Sequence, residues 1–311
     1  MDKMVIVAGP TASGKSAAGV ELCKRLHGSV ISADSMQVYR GMDIGSAKIT
    51  EEEMQGIPHE LIDIADPSEE WNVVRFQREA KAAVQRITAK GRLPVLVGGT
   101  GFYIQALLYD IDFTETREDT AYRSLLEEKA RTEGNESLYR MLLEKDPEAA
   151  AAIHPNNLKR VIRALEFTRE TGEKISDHNE EQRKRLPAYD AVFFVLTMER
   201  EKLYRRIDLR VDQMMEAGLL EEVKRLQEQG FTSRDVSMQG LGYKQILQYL
   251  EGEGTLEDAV EQIKLQTRHF AKRQLTWFRR EKDVIWVNTD EFPSREEMLD
   301  YMENIIRTRF S

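Results

Sequence analysis

The chain has 311 residues, 41% of them apolar, which is enough for one large domain or two modest ones with a real core. Its 45 Lys and Arg against 54 Asp and Glu give a net charge of −9, which argues mildly against nucleic acid as a partner of the chain as a whole. The single cysteine, Cys23, excludes intrachain disulfides and cysteine-based zinc sites, and no apolar run approaches membrane-spanning length.

Strands and helices alternate along the N-terminal third of the chain. Apolar runs predict buried strands over 4–8, 29–33 and 93–97. Apolar periodicity predicts helices over 15–26 and 73–90, and another helix opens near Phe102. This alternation is typical of a parallel sheet joined by right-handed crossovers and covered on both faces.

The pattern changes between residues 114 and 187, where no strand is predicted. Helical periodicity and charge predict helices there over 122–134, 136–145 and 158–171. The first pattern then returns, with strands over 191–196 and 284–287, helices over 201–229 and 256–280, and a short terminal helix. We therefore predict an α/β fold in which a five-stranded parallel core, residues 1–113 and 188–311, is interrupted by an all-helical insertion, residues 114–187.

A complete phosphate-binding loop lies between the first strand and the first helix. The residues fit G-x-x-x-x-G-K-[ST] at every fixed position: Gly9, Pro10, Thr11, Ala12, Ser13, Gly14, Lys15 and Ser16. Such a loop directs backbone N–H groups at one anion, while Lys15 can reach a terminal phosphate and Ser16 can hold Mg²⁺. The flanking strand and helix disfavour a chance glycine turn, but the loop alone does not separate kinases, ATPases, GTPases and other phosphate-ester enzymes.

Polar residues follow two other predicted strands. Residues 93–97 run into Gly98-Gly99-Thr100-Gly101 with no carboxylate, and no N-K-x-D motif occurs, which disfavours a motor ATPase or a GTPase switch. The carboxylate Asp34 instead follows strand 29–33, so Asp34 and Thr100 should both face the crevice beyond the strand ends. Asp34 could hold Mg²⁺ through water, act as a base, or simply cap the next turn; the glycine segment could equally be a tight turn without a ligand.

Positive charge is clustered over 158–169 and 183–185, and the largest cluster is the segment 264–282. That segment carries seven cationic residues, one acid and three interleaved aromatic residues, a composition that favours a polyanion over the alternative of a solvated helix face. A smaller cationic set lies on the helix that begins near 201. Arg206 and Arg210, one turn apart there, could grip a phosphate group or pair with Asp208 or Asp212.

Motifs along the whole chain resemble the bacterial tRNA dimethylallyltransferase family, which prenylates the adenosine immediately 3′ of the anticodon. The most specific match runs from Asp34 to Lys48. Further matches are 58–63, Gly98-Gly99-Thr100-Gly101, His154-Pro155-Asn156-Asn157 with Arg160 and 163–166, Gly240-Leu241-Gly242-Tyr243, and 273–278. The resemblance implies a core like that of P-loop kinases, a helical insertion that swings over tRNA, dimethylallyl diphosphate as the donor and Mg²⁺ as the cofactor.

The resemblance also implies roles for individual residues. Asp34 matches the general base, Thr100 the residue beside the reacting adenine, and Arg210 an arginine that grips the diphosphate together with the phosphate-binding loop. The residues that match tRNA-contacting positions are Asp34, Ser35, Met36, Gln37, Thr100, Arg123, Lys159, Arg160, Val161, Ile162, Arg163, Gln239, Gly240, Leu241, Gly242, Tyr243 and Lys244, to which the basic C-terminal helix adds Arg273 and Arg280.

We therefore expect a transferase that moves a dimethylallyl group to N6 of that adenosine in the tRNA anticodon stem-loop. We expect a cytoplasmic protein without membrane contact, since the N-terminus shows no signal-peptide pattern. We also expect it to be a monomer. The alternatives are a small-molecule kinase using ATP, a prenyltransferase acting on free adenylate, and an RNA-binding module with a vestigial nucleotide site.

Overall fold

The computed structural model describes residues 1–113 and 120–311, so the predicted start of the insertion at Thr114 lies outside the described residues. Within them the chain forms two compact units. Unit 1 comprises Met1–Leu108 and Pro187–Ser311, and unit 2 comprises Tyr109–Leu186. No helix in the described part of the chain is both long enough and apolar enough to cross a bilayer.

Unit 1 contains a six-stranded parallel sheet, and the predicted α/β fold is confirmed. Its strands are β1 (Lys3–Ala8), β2 (Gly28–Ala33), β3 (His59–Glu60), β4 (Leu93–Gly98), β5 (Asp190–Thr197) and β6 (Val284–Asn288), in the order β3-β2-β4-β1-β5-β6. Five of them were predicted. The sixth, β3, has only two residues, too short for any apolar run, and exists because it pairs with Val30 and Ile31 at the sheet edge.

Helices cover both faces of this sheet. Those of unit 1 are α1 (Lys15–Leu26), α2 (Glu51–Met54), α3 (Val73–Ala89), α4 (Gly101–Leu108), α10 (Arg200–Glu216), α11 (Leu219–Glu228), α12 (Tyr243–Leu250), α13 (Leu256–Phe278) and α14 (Arg295–Phe310). Neighbouring strand residues point to opposite faces. Accordingly Phe194 lies in a core with residues of α1 and α14, whereas Phe193 packs edge-on against Phe278 of α13.

The prediction of one helix over 201–229 is wrong, because two helices occupy this range. The helix is interrupted at Gly218, where φ is +100°, and α11 starts after it. A left-handed residue cannot continue an α-helix, so the glycine divides the predicted helix into α10 and α11.

Unit 2 is entirely helical among its described residues. Its helices are α5 (Thr120–Glu133), α6 (Asn135–Lys145), α7 (Pro147–Ala152), α8 (Leu158–Thr171) and α9 (Ile175–Arg183). The core is formed by apolar residues that recur on one face of α5, α6 and α8, among them Leu126, Leu138 and Leu165. Asp146 is fully buried beside them and binds Ala149 N–H and Ser176, which fixes α7 and α9.

Candidate active site

The loop between β1 and α1 has the curled backbone that binds phosphate groups. Gly9, Ala12 and Gly14 have φ values of +155°, +63° and +90°, and α1 begins directly afterwards at Lys15. A Cβ on Gly9 would lie 2.8 Å from Ser13 Oγ, so the hydroxyl and the glycine face each other inside the curl. Ser13 Oγ is buried and has no hydrogen-bond partner among the described residues. A phosphate oxygen would supply one.

Two charged side chains, Asp34 and Arg210, influence the ammonium group of Lys15. Lys15 Nζ donates a hydrogen bond to Pro10 O at 3.2 Å. Burial lowers the pKa of Lys15 to about 8; the nearby Asp34 carboxylate opposes this shift, and the Arg210 guanidinium reinforces it. The base expected from the resemblance and the expected diphosphate-gripping arginine therefore both act on the lysine of the loop.

Asp34 and Thr100 follow adjacent strands, as expected. Ala33 of β2 is in register with Gly98 of β4, and Thr100 N–H donates to Ala33 O at 3.3 Å. Asp34 Oδ1 accepts from Met36 N–H at 2.8 Å and more weakly from Gln37 N–H at 3.3 Å. The capping role considered for Asp34 is therefore real, but it occupies one oxygen only. No described residue donates a hydrogen bond to Oδ2, so the second oxygen is available for chemistry.

The arginines of α10 lie beside the phosphate-binding loop. Burial lowers the pKa of Arg210, and the charge of Arg206 lowers it further. Arg206 Nη2 lies 3.9 Å from where a Cβ on Gly14 would be. The acids considered as their partners, Asp208 and Asp212, are engaged by α13 among the described residues. The two guanidinium groups and Lys15 thus concentrate positive charge beside the loop.

The segment from Asp34 to Lys48 is held in shape by its own polar side chains. Lys48 Nζ donates to Tyr39 O at 2.7 Å and pairs with Asp43 at 2.6 Å and with Asp63. Gln37 Nε2 donates to Ala47 O at 3.1 Å. Much of the most specific motif therefore builds the loop that carries Asp34.

A buried carboxylate joins this loop to α11. Glu222, 3% exposed, accepts from the backbone N–H groups of Asp43, Ile44 and Gly45 at 2.9–3.1 Å and from the hydroxyl of Tyr243. Tyr243 is fully buried, so its side chain is unavailable to RNA, although it lies within the predicted tRNA-contacting segment 239–244. Gln239 and Lys244 are the exposed residues of that segment.

The remainder of 239–244 packs against the Asp34 loop. A Cβ on Gly240 would lie 2.4 Å from Met36 Cε, and a Cβ on Gly45 would lie 2.6 Å from the Tyr243 ring. These two predicted tRNA-contacting segments, 34–37 and 239–244, are therefore brought together in unit 1.

The basic helix α13 has two different parts. Arg268 makes two hydrogen bonds to Asp208 at 2.7 and 2.8 Å, and Lys264 pairs with Asp212 at 2.7 Å, so these two cations hold α13 against α10. Beyond them the helix borders an open depression of about 450 Å³, lined by His269, Lys272, Arg273, Thr276, Trp277 and Arg280. The exposed cations of the segment are thus those of its C-terminal part, and the polyanion surface stays a prediction for that part.

The predicted tRNA-contacting residues of unit 2 differ in exposure. Lys159, Arg160 and Arg163 are exposed on α8, whereas the side chains of Val161 and Ile162 are buried in the core of the unit. Arg123 makes a bidentate pair with the buried carboxylate of Glu166, both bonds 2.9 Å long. Arg123 therefore has a structural partner within unit 2, and its RNA contact stays a prediction.

Two residues of evident importance were not assigned roles from the sequence. Gln274, 6% exposed, bridges the phosphate-binding loop and the segment before Thr100, and Glu222 anchors the Asp34 loop. Gln274 lies inside the motif 273–278, so a signal was present. Its contacts join residues that are far apart in sequence, and no local pattern encodes such contacts.

Comparisons with known proteins give one consistent result. A family model described as IPP transferase matches residues 37–281. A protein from Lachnoclostridium phytofermentans named tRNA dimethylallyltransferase is 56% identical over 306 residues, 98% of each chain. The crystal structure of a tRNA isopentenylpyrophosphate transferase from Bacillus halodurans matches with a TM-score of 0.76 and 46% identity, covering 99% of this chain and 97% of that one. A structure of a eukaryotic dimethylallyltransferase acting on tRNA gives a TM-score of 0.81 at 34% identity, covering 93% and 74%.

Proposed function

The chain belongs to the IPP transferase family, and on that premise we propose that it transfers a dimethylallyl group from dimethylallyl diphosphate to N6 of the adenosine immediately 3′ of the anticodon in tRNA, releasing diphosphate. The observation that carries this proposal is the strand order β2-β4-β1, in which Asp34, Thr100 and the phosphate-binding loop follow the same ends of three adjacent strands, with the charges of Asp34 and Arg210 both acting on Lys15. A set of cations for a leaving diphosphate and a proton acceptor for an amine therefore occupy one site.

The donor side needs positive charge and hydrogen-bond donors for the departing oxygen. Transfer breaks the bond between the allylic carbon and the diphosphate, and the bonding electrons remain on the diphosphate. Lys15, Arg210 and the loop N–H groups would stabilise that negative charge as it develops. The Ser13 hydroxyl, which no described residue hydrogen-bonds, supports an anion inside the curl.

We propose Mg²⁺ as the cofactor. The protein ligand fits a hard cation, because the hydroxyl of Ser16 at the start of α1 is an exposed oxygen donor. When bound with the diphosphate, Mg²⁺ supplies further positive charge for the leaving group. Ser16 would hold it together with diphosphate oxygens and water.

The acceptor side needs a base beside the adenine. The exocyclic amine is a weak nucleophile because its lone pair is delocalised into the ring, and its proton becomes acidic only as the new C–N bond forms. Asp34 Oδ2 would accept that proton. The turn that binds Oδ1 holds the carboxylate in one orientation. Thr100, just beyond the end of the adjacent strand, would lie beside the reacting adenine.

The adenine must leave its stack to reach this site, and an unpaired loop nucleotide does so at lower cost than a paired one. Phosphates flanking it would meet the exposed cations of α13 in unit 1, and those of α8 would bind RNA from unit 2. We further propose that the protein acts as a monomer in the cytoplasm, where its single buried thiol, Cys23, would stay reduced.

The test is a transfer assay with labelled dimethylallyl diphosphate, Mg²⁺ and one of three acceptors: an anticodon stem-loop, the same RNA with guanosine at the target position, or AMP. The proposal expects prenylated adenine only with the first RNA. Product on AMP would favour the free-adenylate prenyltransferase, and phosphoryl transfer from ATP without RNA would favour the kinase. RNA binding without any product would favour the RNA-binding module.

A further inference from the structure

The side-chain amide of Gln274 connects two loops of the proposed site. Gln274 Oε1 accepts a hydrogen bond from Thr11 N–H at 2.9 Å, and Gln274 Nε2 donates one to Gly99 O at 2.9 Å. The residue is 6% exposed, so water offers these groups no ready alternative. Both ends of one amide are therefore used, one on the loop after β1 and one on the loop after β4.

The amide packs closely against the glycine that it binds. A Cβ on Gly99 would lie 2.2 Å from Gln274 Nε2 and 3.2 Å from Gly9 O, so the three segments meet at this glycine. An amide is a neutral side chain that presents both an acceptor and an N–H donor at its tip. Glutamate as an anion lacks the donor, methionine lacks both groups, and asparagine is one methylene shorter.

The two ends of the amide bind the loop proposed to hold the diphosphate and the segment that carries Thr100. Thr11 lies in the loop proposed to hold the diphosphate, between Gly9 and the left-handed Ala12. Gly99 precedes Thr100, whose N–H is bound to Ala33 O, the residue before Asp34. The donor loop and the acceptor residues, which follow the paired strands β1 and β4, are thus also linked beyond the strand ends through one side chain of α13.

We propose that Gln274 is a positioning residue that sets the alignment of the dimethylallyl diphosphate loop with Asp34 and Thr100. This inference rests on the proposed function. Its effect falls on the transfer step, since a misplacement of about 1 Å between reacting groups can lower a rate by about 10²-fold. Binding of tRNA is spared, because the exposed cations that flank Gln274 on α13 keep their places.

The test compares Gln274→Met, Gln274→Glu and the control Gln262→Met, an exposed glutamine on the same helix. Single-turnover transfer to the anticodon stem-loop, the KM for RNA, and the melting temperature are measured for each. We expect both Gln274 variants to lose about 30- to 100-fold in transfer rate, with KM for RNA within about threefold of wild type, and the control to match wild type.

A pH profile separates positioning from a general loss of structure. Once protonated, the carboxyl group introduced by Gln274→Glu would again offer a carbonyl oxygen to Thr11 N–H and an O–H to Gly99 O. The rate of this variant relative to wild type should therefore rise as pH falls, whereas the relative rate of Gln274→Met should not change.

The inference is overturned if folded Gln274→Met transfers at the wild-type rate, if the loss lies in KM for RNA, or if the Gln274→Glu defect does not depend on pH. Should Gln274→Met fail to fold, the pH profile of Gln274→Glu decides alone. Failure of wild type to prenylate the RNA would instead overturn the proposed function, and this inference with it.

Discussion

The hydroxyl of Tyr243 donates a 2.6 Å hydrogen bond to the buried carboxylate of Glu222, which also binds three consecutive backbone N–H groups at 43–45. Burial and the negative charge of Glu222 raise the pKa of Tyr243, so this hydroxyl remains a donor. The arrangement ties α11 and α12 to the loop that carries Asp34.

Removing either partner of this hydrogen bond should destabilise the protein. Glu222→Gln should lower the free energy of unfolding by about 1–3 kcal/mol because buried N–H groups lose their acceptor, and Tyr243→Phe by about 1.5–3 kcal/mol because a charge-assisted bond is lost. Urea unfolding of both single variants and the double variant measures the coupling. Glu221→Gln, exposed on the same helix, is the control; additive losses would show that the two side chains do not interact.

Asp34→Asn tests the roles of the two carboxylate oxygens of Asp34 separately. The asparagine carbonyl can still accept from Met36 N–H, so the turn should persist, but no oxygen remains that can take the proton of the adenine amine. We expect transfer to fall by about 10²- to 10⁴-fold, with tRNA affinity within about threefold. Asp66→Asn is the control, since Asp66 likewise accepts from a backbone N–H two residues on. Transfer by Asp34→Asn near the wild-type rate contradicts the base assignment.

The lowered pKa of Lys15 predicts a pH dependence of diphosphate binding. Below about pH 8 the ammonium is charged in the free protein; above it, binding an anion requires Lys15 to take up a proton. The affinity for inorganic diphosphate, relative to Lys15→Arg, should therefore fall by up to about tenfold per pH unit above that value. Lys15→Arg keeps its charge throughout, so it corrects for protonation of the ligand. Affinities are measured by calorimetry across this pH range. The same pH dependence of diphosphate affinity in wild type and Lys15→Arg would refute the prediction.

The two parts of α13 should respond differently to mutation. Arg273→Glu and Arg280→Glu should each weaken tRNA binding by about tenfold and reduce the slope of log affinity against log salt by about one. Lys264→Gln should leave RNA affinity unchanged and slightly lower stability, because Lys264 is paired with Asp212. Filter binding at several salt concentrations checks this. Equal effects at all three positions would mean that the surface division is wrong.

The sequence predicted the site well where function depends on a local pattern. The phosphate-binding loop and the strand ends that carry Asp34 and Thr100 are encoded by short apolar runs followed by glycine or polar residues, and the structure places them at adjacent strand ends. The resemblance to tRNA dimethylallyltransferases is confirmed by relatives along the full chain.

Features that depend on distant contacts were not predicted. The edge strand β3 owes its extended form to β2, and Gln274 joins residues 11 and 99 only after the sheet has formed. The residues at 161 and 162 fall between exposed cations in sequence, yet the helical period turns both into the core. The cluster of cations over 264–282 likewise gave no sign that its first two members, Lys264 and Arg268, pair with acids on α10.

The close approach at Gly99 also constrains how such sequences can diverge. A lineage that acquires a side chain at position 99 must displace the amide at 274, and one that loses the amide keeps only the approach of Gly9 O as a constraint on position 99. The two positions should therefore tend to change as a pair during evolution, and an isolated replacement at either should mark a descendant with slower transfer and an unchanged architecture.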